Sequence, residues 1–184
     1  MSATWIVAGI LVIVVFYLWS LYNGLVTLKN QLAEAWSQID VQLKRRADLI
    51  PNLIETVKGY AKHEKTVFTE VTKARTALMA AASPSKLAAA SDALSGALGK
   101  LLAIAENYPQ LKASEGFGEL QKELADTEDK VAYARQYYNS TVMEYNVKID
   151  VFPNSLLAGP LGFKPKEFFQ ASEIERKSVK VSFN

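Results

Sequence analysis

The first charged side chain in this sequence is Lys29. From Trp5 to Trp19 (WIVAGILVIVVFYLW) every residue is apolar. Continued to Tyr22, the stretch makes a helix roughly 26 Å long, close to the ~30 Å hydrocarbon core of a bilayer. A core helix of this length would be unusual in so small a domain. A cleaved signal peptide would need a basic leader and a small-x-small cleavage site, and the sequence offers neither. The stretch therefore predicts a retained single-pass anchor within residues 1–28, in contact with the lipid bilayer. Trp5 marks one membrane interface; Tyr17, Trp19 and Tyr22 mark the other. Gly9 has no partner in a Gly-xxx-Gly face, so the anchor itself gives little reason to dimerise.

The flanking charges set an orientation. The leading Met-Ser-Ala-Thr carries no Lys or Arg, whereas Lys29, Lys44, Arg45 and Arg46 follow the span. The positive-inside rule then puts the N-terminus outside and residues 29–184 in the cytoplasm.

Beyond the anchor the apolar residues step by threes and fours. Leu25, Leu28, Leu32, Ala35, Ile39 and Leu43 form one stripe. Ile50, Leu53, Val57, Tyr60, Val67, Val71, Ala74 and Leu78 form a second, if His63-Glu64 is allowed as a polar step. Ser83-Pro84 reads as an N-cap with proline at the first helical position. A third stripe follows (Leu87, Leu94, Leu98, Leu101, Ala105) and stops at Asn107-Tyr108-Pro109. A fourth carries Phe117, Leu120, Leu124, Thr127, Val131, Ala134, Tyr138 and Tyr145. The expected fold is all-α: a membrane helix, then an elongated up-and-down four-helix bundle over residues 29–148.

The junction of the first two stripes is open. Asp48 could cap a new helix with Pro51 in its first turn, and Arg45 and Arg46 would then complement the preceding helix C-terminus. Alternatively the helix runs on with a kink at Pro51, because the apolar phase hardly slips, although an up-and-down four-helix bundle requires the turn. Arg45, Arg46 and Asp48 are also candidates for a docking surface.

YNGLV directly after the span and WSQIDVQLKRRADLIPNLIETVKGYAKHE beyond it resemble the LemA family of bacterial membrane proteins. NVKIDVFPNSLLAGPLGF and the closing ERKSVKVSF resemble that family's tail. The similarity runs from Tyr22 to Phe183. It implies one N-terminal membrane helix, a four-helix bundle and a bacterial inner-membrane location. It supplies no reaction, catalytic residue or cofactor.

The chemistry of the chain agrees with that silence. With no cysteine and His63 as the one histidine, thiolate sites, disulfides and most zinc or triad chemistries are excluded. His63-Glu64 lacks the second histidine of a zincin motif, and no Glu-x-x-His pair exists for a di-iron site. No cofactor and no metal are expected, and no enzyme. A net charge of +2 lacks the basic footprint of a nucleic-acid binder, so no nucleic-acid partner is expected either. The charges are instead segregated. Residues 115–144 hold seven acidic against three basic side chains, and residues 29–75 nine basic against six acidic. Such biases can pair within a bundle or between copies. The acidic set Glu119, Glu123, Asp126, Glu128 and Asp129 reads as a solvated face, and Tyr137-Tyr138 as packing.

Residues 149–184 form a turn-rich, apolar tail that should pack on the bundle or on a neighbouring copy, with Lys166–Gln170 a candidate short helix. Val147, Ile149 and Val151 alternate with polar residues, as do Val179, Val181 and Phe183, which matches half-buried strands. The sequence thus suggests a membrane-anchored scaffold, a homo-oligomer that could also engage another membrane protein. The alternative is an adaptor of a membrane protease or transport machine. If residues 179–184 pair between copies, deleting them should shrink the detergent-solubilised particle and leave the helical circular-dichroism signal intact. Equal oligomer numbers by mass photometry would retire the strand as an assembly element.

Overall fold

The computed structural model describes residues 2–169, and these are helical with loops between. In chain order the helices are α1 (Ser2–Tyr60), α2 (Lys65–Ala80), α3 (Pro84–Glu106), α4 (Pro109–Lys112), α5 (Glu115–Asp150) and α6 (Asn154–Ala158). At 59 residues, α1 is roughly 88 Å long. Its first third is apolar and almost wholly exposed, long enough to cross a membrane. From Leu21 onward one of its faces becomes core, with Leu25, Ala35, Ile39, Ile50, Leu53 and Val57 fully buried.

The other long helices pack alongside. α5 runs back along α1, with Trp36 and Tyr138 rings 5.6 Å apart and Arg46 meeting Glu128 further along. α2 turns back after Tyr60, so that Arg75 reaches Ala47. α3 lies against α2, where Lys100 pairs with Glu70 at 2.8 Å. The expected apolar stripes largely close the core, except that Tyr60 of the second is 43% exposed. Leu87, Leu94, Leu98, Leu101 and Ala105 of α3 are all buried, as are Phe117, Leu124, Thr127, Val131, Ala134, Tyr138 and Tyr145 of α5. Ser83 accepts from the Lys86 N–H, and Pro84 opens α3.

Four local expectations are corrected. No turn separates the first two stripes at residues 45–51: α1 passes through them unbroken, and Asp48 is not an N-cap. The reversal falls instead at residues 61–64, around His63-Glu64. Val57, Ala61, Glu64, Phe68 and Val71 keep helical phase across that reversal, so periodicity alone could not detect it. Secondly, Tyr137 points outward, 43% exposed, while its neighbour Tyr138 is buried. Thirdly, Val147 and Ile149 belong to the last turns of α5 and Val151 is its C-cap, so this alternating segment is no strand. Its period of two reflects one buried residue, Ile149, between two exposed ones. Lastly, residues 166–169 are not helical. Asn146 donates to the Lys166 carbonyl and accepts from its N–H, and Asn139 does the same for Phe169. Seven helical residues and three extended ones both span about 10 Å, so two asparagines two turns apart hold an extended segment against α5. Residues 179–183, the other alternating segment, lie outside the described residues.

The passage of α1 through Pro51 has a specific basis. Pro51 has no N–H, which leaves the carbonyl of Ala47, four residues back, without its helical donor. Ala47 is fully buried, so water cannot substitute. Arg75 Nε donates to that carbonyl at 2.7 Å. Arg75→Met should therefore cost about 1–3 kcal/mol by orphaning a buried acceptor. In a Pro51→Ala background the same change should cost clearly less, because the substituted alanine supplies the missing N–H. A double-mutant cycle by urea unfolding measures that coupling; additive effects would show that Arg75 does not serve this carbonyl.

Candidate functional site: the arginine clamp and the membrane-proximal face

The block that carries the densest sequence signal forms an interior clamp. Arg46 is 4% exposed, on the inner face of α1. Its Nη1 donates to Ser95 Oγ of α3 at 3.0 Å, and its Nη2 forms an ion pair with Glu128 of α5. One side chain thus ties three helices. Burial pushes the Arg46 pKa down, and the neighbouring Glu128 carboxylate opposes that by favouring the charged form. One turn back, Gln42 Oε1 is buried without a partner, as is Arg46 Nε. Arg45, next to it, is exposed. Asp48 approaches Arg75 at 3.9 Å while itself 59% exposed, a surface pair that contributes little. Of the three residues considered for docking, Arg46 is therefore enclosed by its own chain, and Arg45 and Asp48 remain at the surface. Glu128 leaves the acidic face for this clamp; Glu119, Glu123, Asp126 and Asp129 stay exposed.

The other end of the domain meets the apolar part of α1. Trp5 and Trp19, expected as membrane-interface residues, are 77% and 62% exposed. Tyr17 and Tyr22, the other two expected interface residues, make contacts within the protein. The Tyr17 hydroxyl donates to Asn154 Oδ1 at 2.5 Å, and the Tyr22 ring meets Phe163 edge-on at 6.0 Å. Asn154 also donates to the Lys148 carbonyl at 2.8 Å. The segment after α5 is thereby fastened to α1 at the level of the aromatic anchors. Gly162, with φ at +81°, makes the turn after α6: its N–H bonds the Gly159 carbonyl and the Phe163 N–H bonds the Ala158 carbonyl. A left-handed residue is needed there, which explains the glycine. The turn directs Phe163 inward, leaving Phe152 and Leu156 exposed at 80% and 67%.

Sequence reasoning missed this face because its members lie at residues 17–22 and 152–163, far apart in the chain. The signal available was Asn139 and Asn146, spaced two turns apart on α5, together with a Gly/Pro-rich tail, which no periodicity test weighs. Val179, Val181 and Phe183 lie outside the described residues. Among the described residues no three His, Asp or Glu side chains gather in a metal-binding group.

The clamp supports a test that separates structure from docking. Removing Glu128 leaves a buried cation unpaired, whereas removing Arg46 frees a carboxylate whose paired oxygen is buried but whose side chain is 47% exposed overall and can turn toward water. Glu128→Leu should cost about 3 kcal/mol or more, while Arg46→Met, which fills the volume with an apolar chain, should change stability far less. Equal losses in chemical denaturation would contradict the clamp.

The family model described as LemA family matches residues 35–183. Protein LemA of Metamycoplasma hominis is 30% identical over 164 residues, covering 87% of this chain and 74% of that protein. Magnetosome protein MamQ 1 of Paramagnetospirillum magneticum is 26% identical over 175 residues, covering 81% of this chain and 64% of its own length. Magnetosome protein MamQ of Magnetospirillum gryphiswaldense is 26% identical over 174 residues, with 80% and 64% covered. This chain therefore spans slightly less than two thirds of the magnetosome relatives it matches.

Proposed function

This chain belongs to the LemA family, and from that premise we propose that it is a non-enzymatic, membrane-anchored helical scaffold. Its four long helices act as an up-and-down bundle that self-associates and organises the membrane or its proteins. The anchor crosses a bacterial inner membrane with the N-terminus outside and the bundle in the cytoplasm.

The outward face of α5 carries this reading. Tyr133, Tyr137, Val147 and Val151 are 72%, 43%, 53% and 44% exposed, and they fall within roughly 80° of helix arc at 100° per residue. Aromatic residues exposed in line are typical of contact surfaces rather than of solvated faces. The occupant favoured is a second copy. Copies anchored in one bilayer hold this stripe at one height and in one orientation, so a two-fold axis along the membrane normal brings the same residues together. The unbroken α1 contributes by setting that height without a hinge.

Substituting Tyr133→Asp with Tyr137→Asp should lower the mass of the detergent-solubilised particle with little change in the melting curve, since both side chains are exposed. Mass photometry of wild-type and variant particles checks it. A wild-type particle of one copy bound stoichiometrically to a different protein would replace the scaffold with an adaptor of a membrane protease or transport machine.

A further inference from the structure

Just beyond the aromatic anchors, the chain folds a concave pocket of about 390 Å³ between α1, α5 and the tail. Three lysines, Lys29, Lys164 and Lys166, line it together with Tyr22, Asn30 and Tyr145, and no acidic residue does. None of the three ammonium groups has a carboxylate partner among the described residues; the five ion pairs there involve other cations. Three like charges gathered in one concavity repel one another, which an anion would relieve.

The pocket is assembled rather than incidental. Asn146 fixes the Lys166 backbone from both sides, at 2.9 and 2.8 Å. Lys164 and Lys166, two apart in the non-helical tail, both line the pocket, and Pro165 between them does not. Lys29 comes from α1, seven residues or about 10 Å past Tyr22. That is the depth of lipid headgroups when Tyr22 lies at the interface. The lower rim is apolar: Leu161 is 42% exposed, and Phe152 and Leu156 stand out beneath it, at the level of Tyr17.

We propose that this pocket binds the phosphate headgroup of an acidic phospholipid from the bilayer that α1 crosses, with the acyl chains against Leu161, Leu156 and Phe152. A free phosphate offers the lysines the same charge, yet it would leave the apolar rim facing water; a lipid satisfies both. The inference needs the membrane anchor but not self-association.

The test uses the full chain reconstituted in vesicles of mixed phosphatidylcholine and phosphatidylglycerol, with spin-labelled versions of each lipid. Lysines near an acidic surface contribute on the order of fivefold each. The wild-type chain should therefore immobilise labelled phosphatidylglycerol at least fivefold in preference to labelled phosphatidylcholine. The triple variant Lys29→Gln, Lys164→Gln, Lys166→Gln should bring the preference to within twofold, and the triple arginine variant should retain it. Neutralising Lys58, Lys62 and Lys100 at the far end should leave it unchanged. Three results would overturn the proposal: no preference in the wild type, an equal loss on neutralising the distant lysines, or displacement of the lipid by inorganic phosphate but not by chloride at matched ionic strength. Mass photometry on the same samples keeps the two readings separate. A fall in oligomer number with the lipid preference intact would bear on the α5 interface alone.

Discussion

Pro51 takes a hydrogen bond out of the middle of α1, and the fold depends on how that loss is made good. A proline in a helix interior costs about 3 kcal/mol when its freed carbonyl finds no donor. Here Arg75 crosses from α2 to the Ala47 carbonyl. The contact does two things at once. It lets α1 continue into the domain, and it fixes where α2 must lie after the reversal at residues 61–64. Arg46, next to Ala47, then reaches Ser95 and Glu128 on two further helices. All four long helices are registered within one turn of the Arg-Arg-Ala-Asp-Leu-Ile-Pro block. A charge enclosed in this way is weak evidence for stability, because its desolvation cost offsets much of the attraction. It is better evidence for register: an aliphatic core tolerates sliding, whereas a buried guanidinium does not.

In the proposed reading, continuity of α1 is what joins this core to a membrane. A domain linked to its anchor by a flexible loop would sample many heights and tilts. Here the same helix supplies the apolar segment and, from Leu21, the buried face against α5. The tail adds a second attachment at the same level through Tyr17–Asn154 and Tyr22–Phe163. With α1 in a bilayer as proposed, surfaces on α5 and around the lysine pocket keep a set distance from it. That matters for a protein whose proposed partners, a second copy and a lipid headgroup, are confined to the same plane.

The polar side chains of α5 show how an all-helical protein orders a loop-rich tail. Asn139 and Asn146 each offer one donor and one acceptor to a single tail residue, as the backbone of an adjacent strand would. Tyr138 donates to the Glu167 carbonyl at 3.0 Å, and burial, with the nearby Glu167 charge, raises the pKa of its phenol and so keeps the donor protonated. Arg135 stacks over the Phe169 ring at 4.8 Å. Backbone groups that would otherwise be orphaned are satisfied without a sheet.

Much was legible in the sequence because it is one-dimensional. An uncharged run of more than twenty residues, the spacing of leucines, and Ser83-Pro84 ahead of α3 each act through the local chain. They determined the apolar helix, the all-α class and most large core residues of α3 and α5, but not the small or polar ones such as Ala88, Ser91, Ala97 and Thr141. Two kinds of feature were decided only by the tertiary structure. The reversal at residues 61–64 leaves the apolar phase intact, and only the gain from folding α2 back on α1, burying Phe68, Val71 and Leu78, selects it. The roles of Arg46, Pro51 and Arg75 depend on which helix lies opposite. An arginine reads as surface or cap until a carboxylate and an orphaned carbonyl are brought to it from residues 28 to 82 positions away. The lysine pocket is of the same kind, since Lys29 and Lys164 meet only after α5 has returned the chain to the base of α1. Local sequence sets which faces are apolar, but long-range packing decides which polar groups those faces enclose.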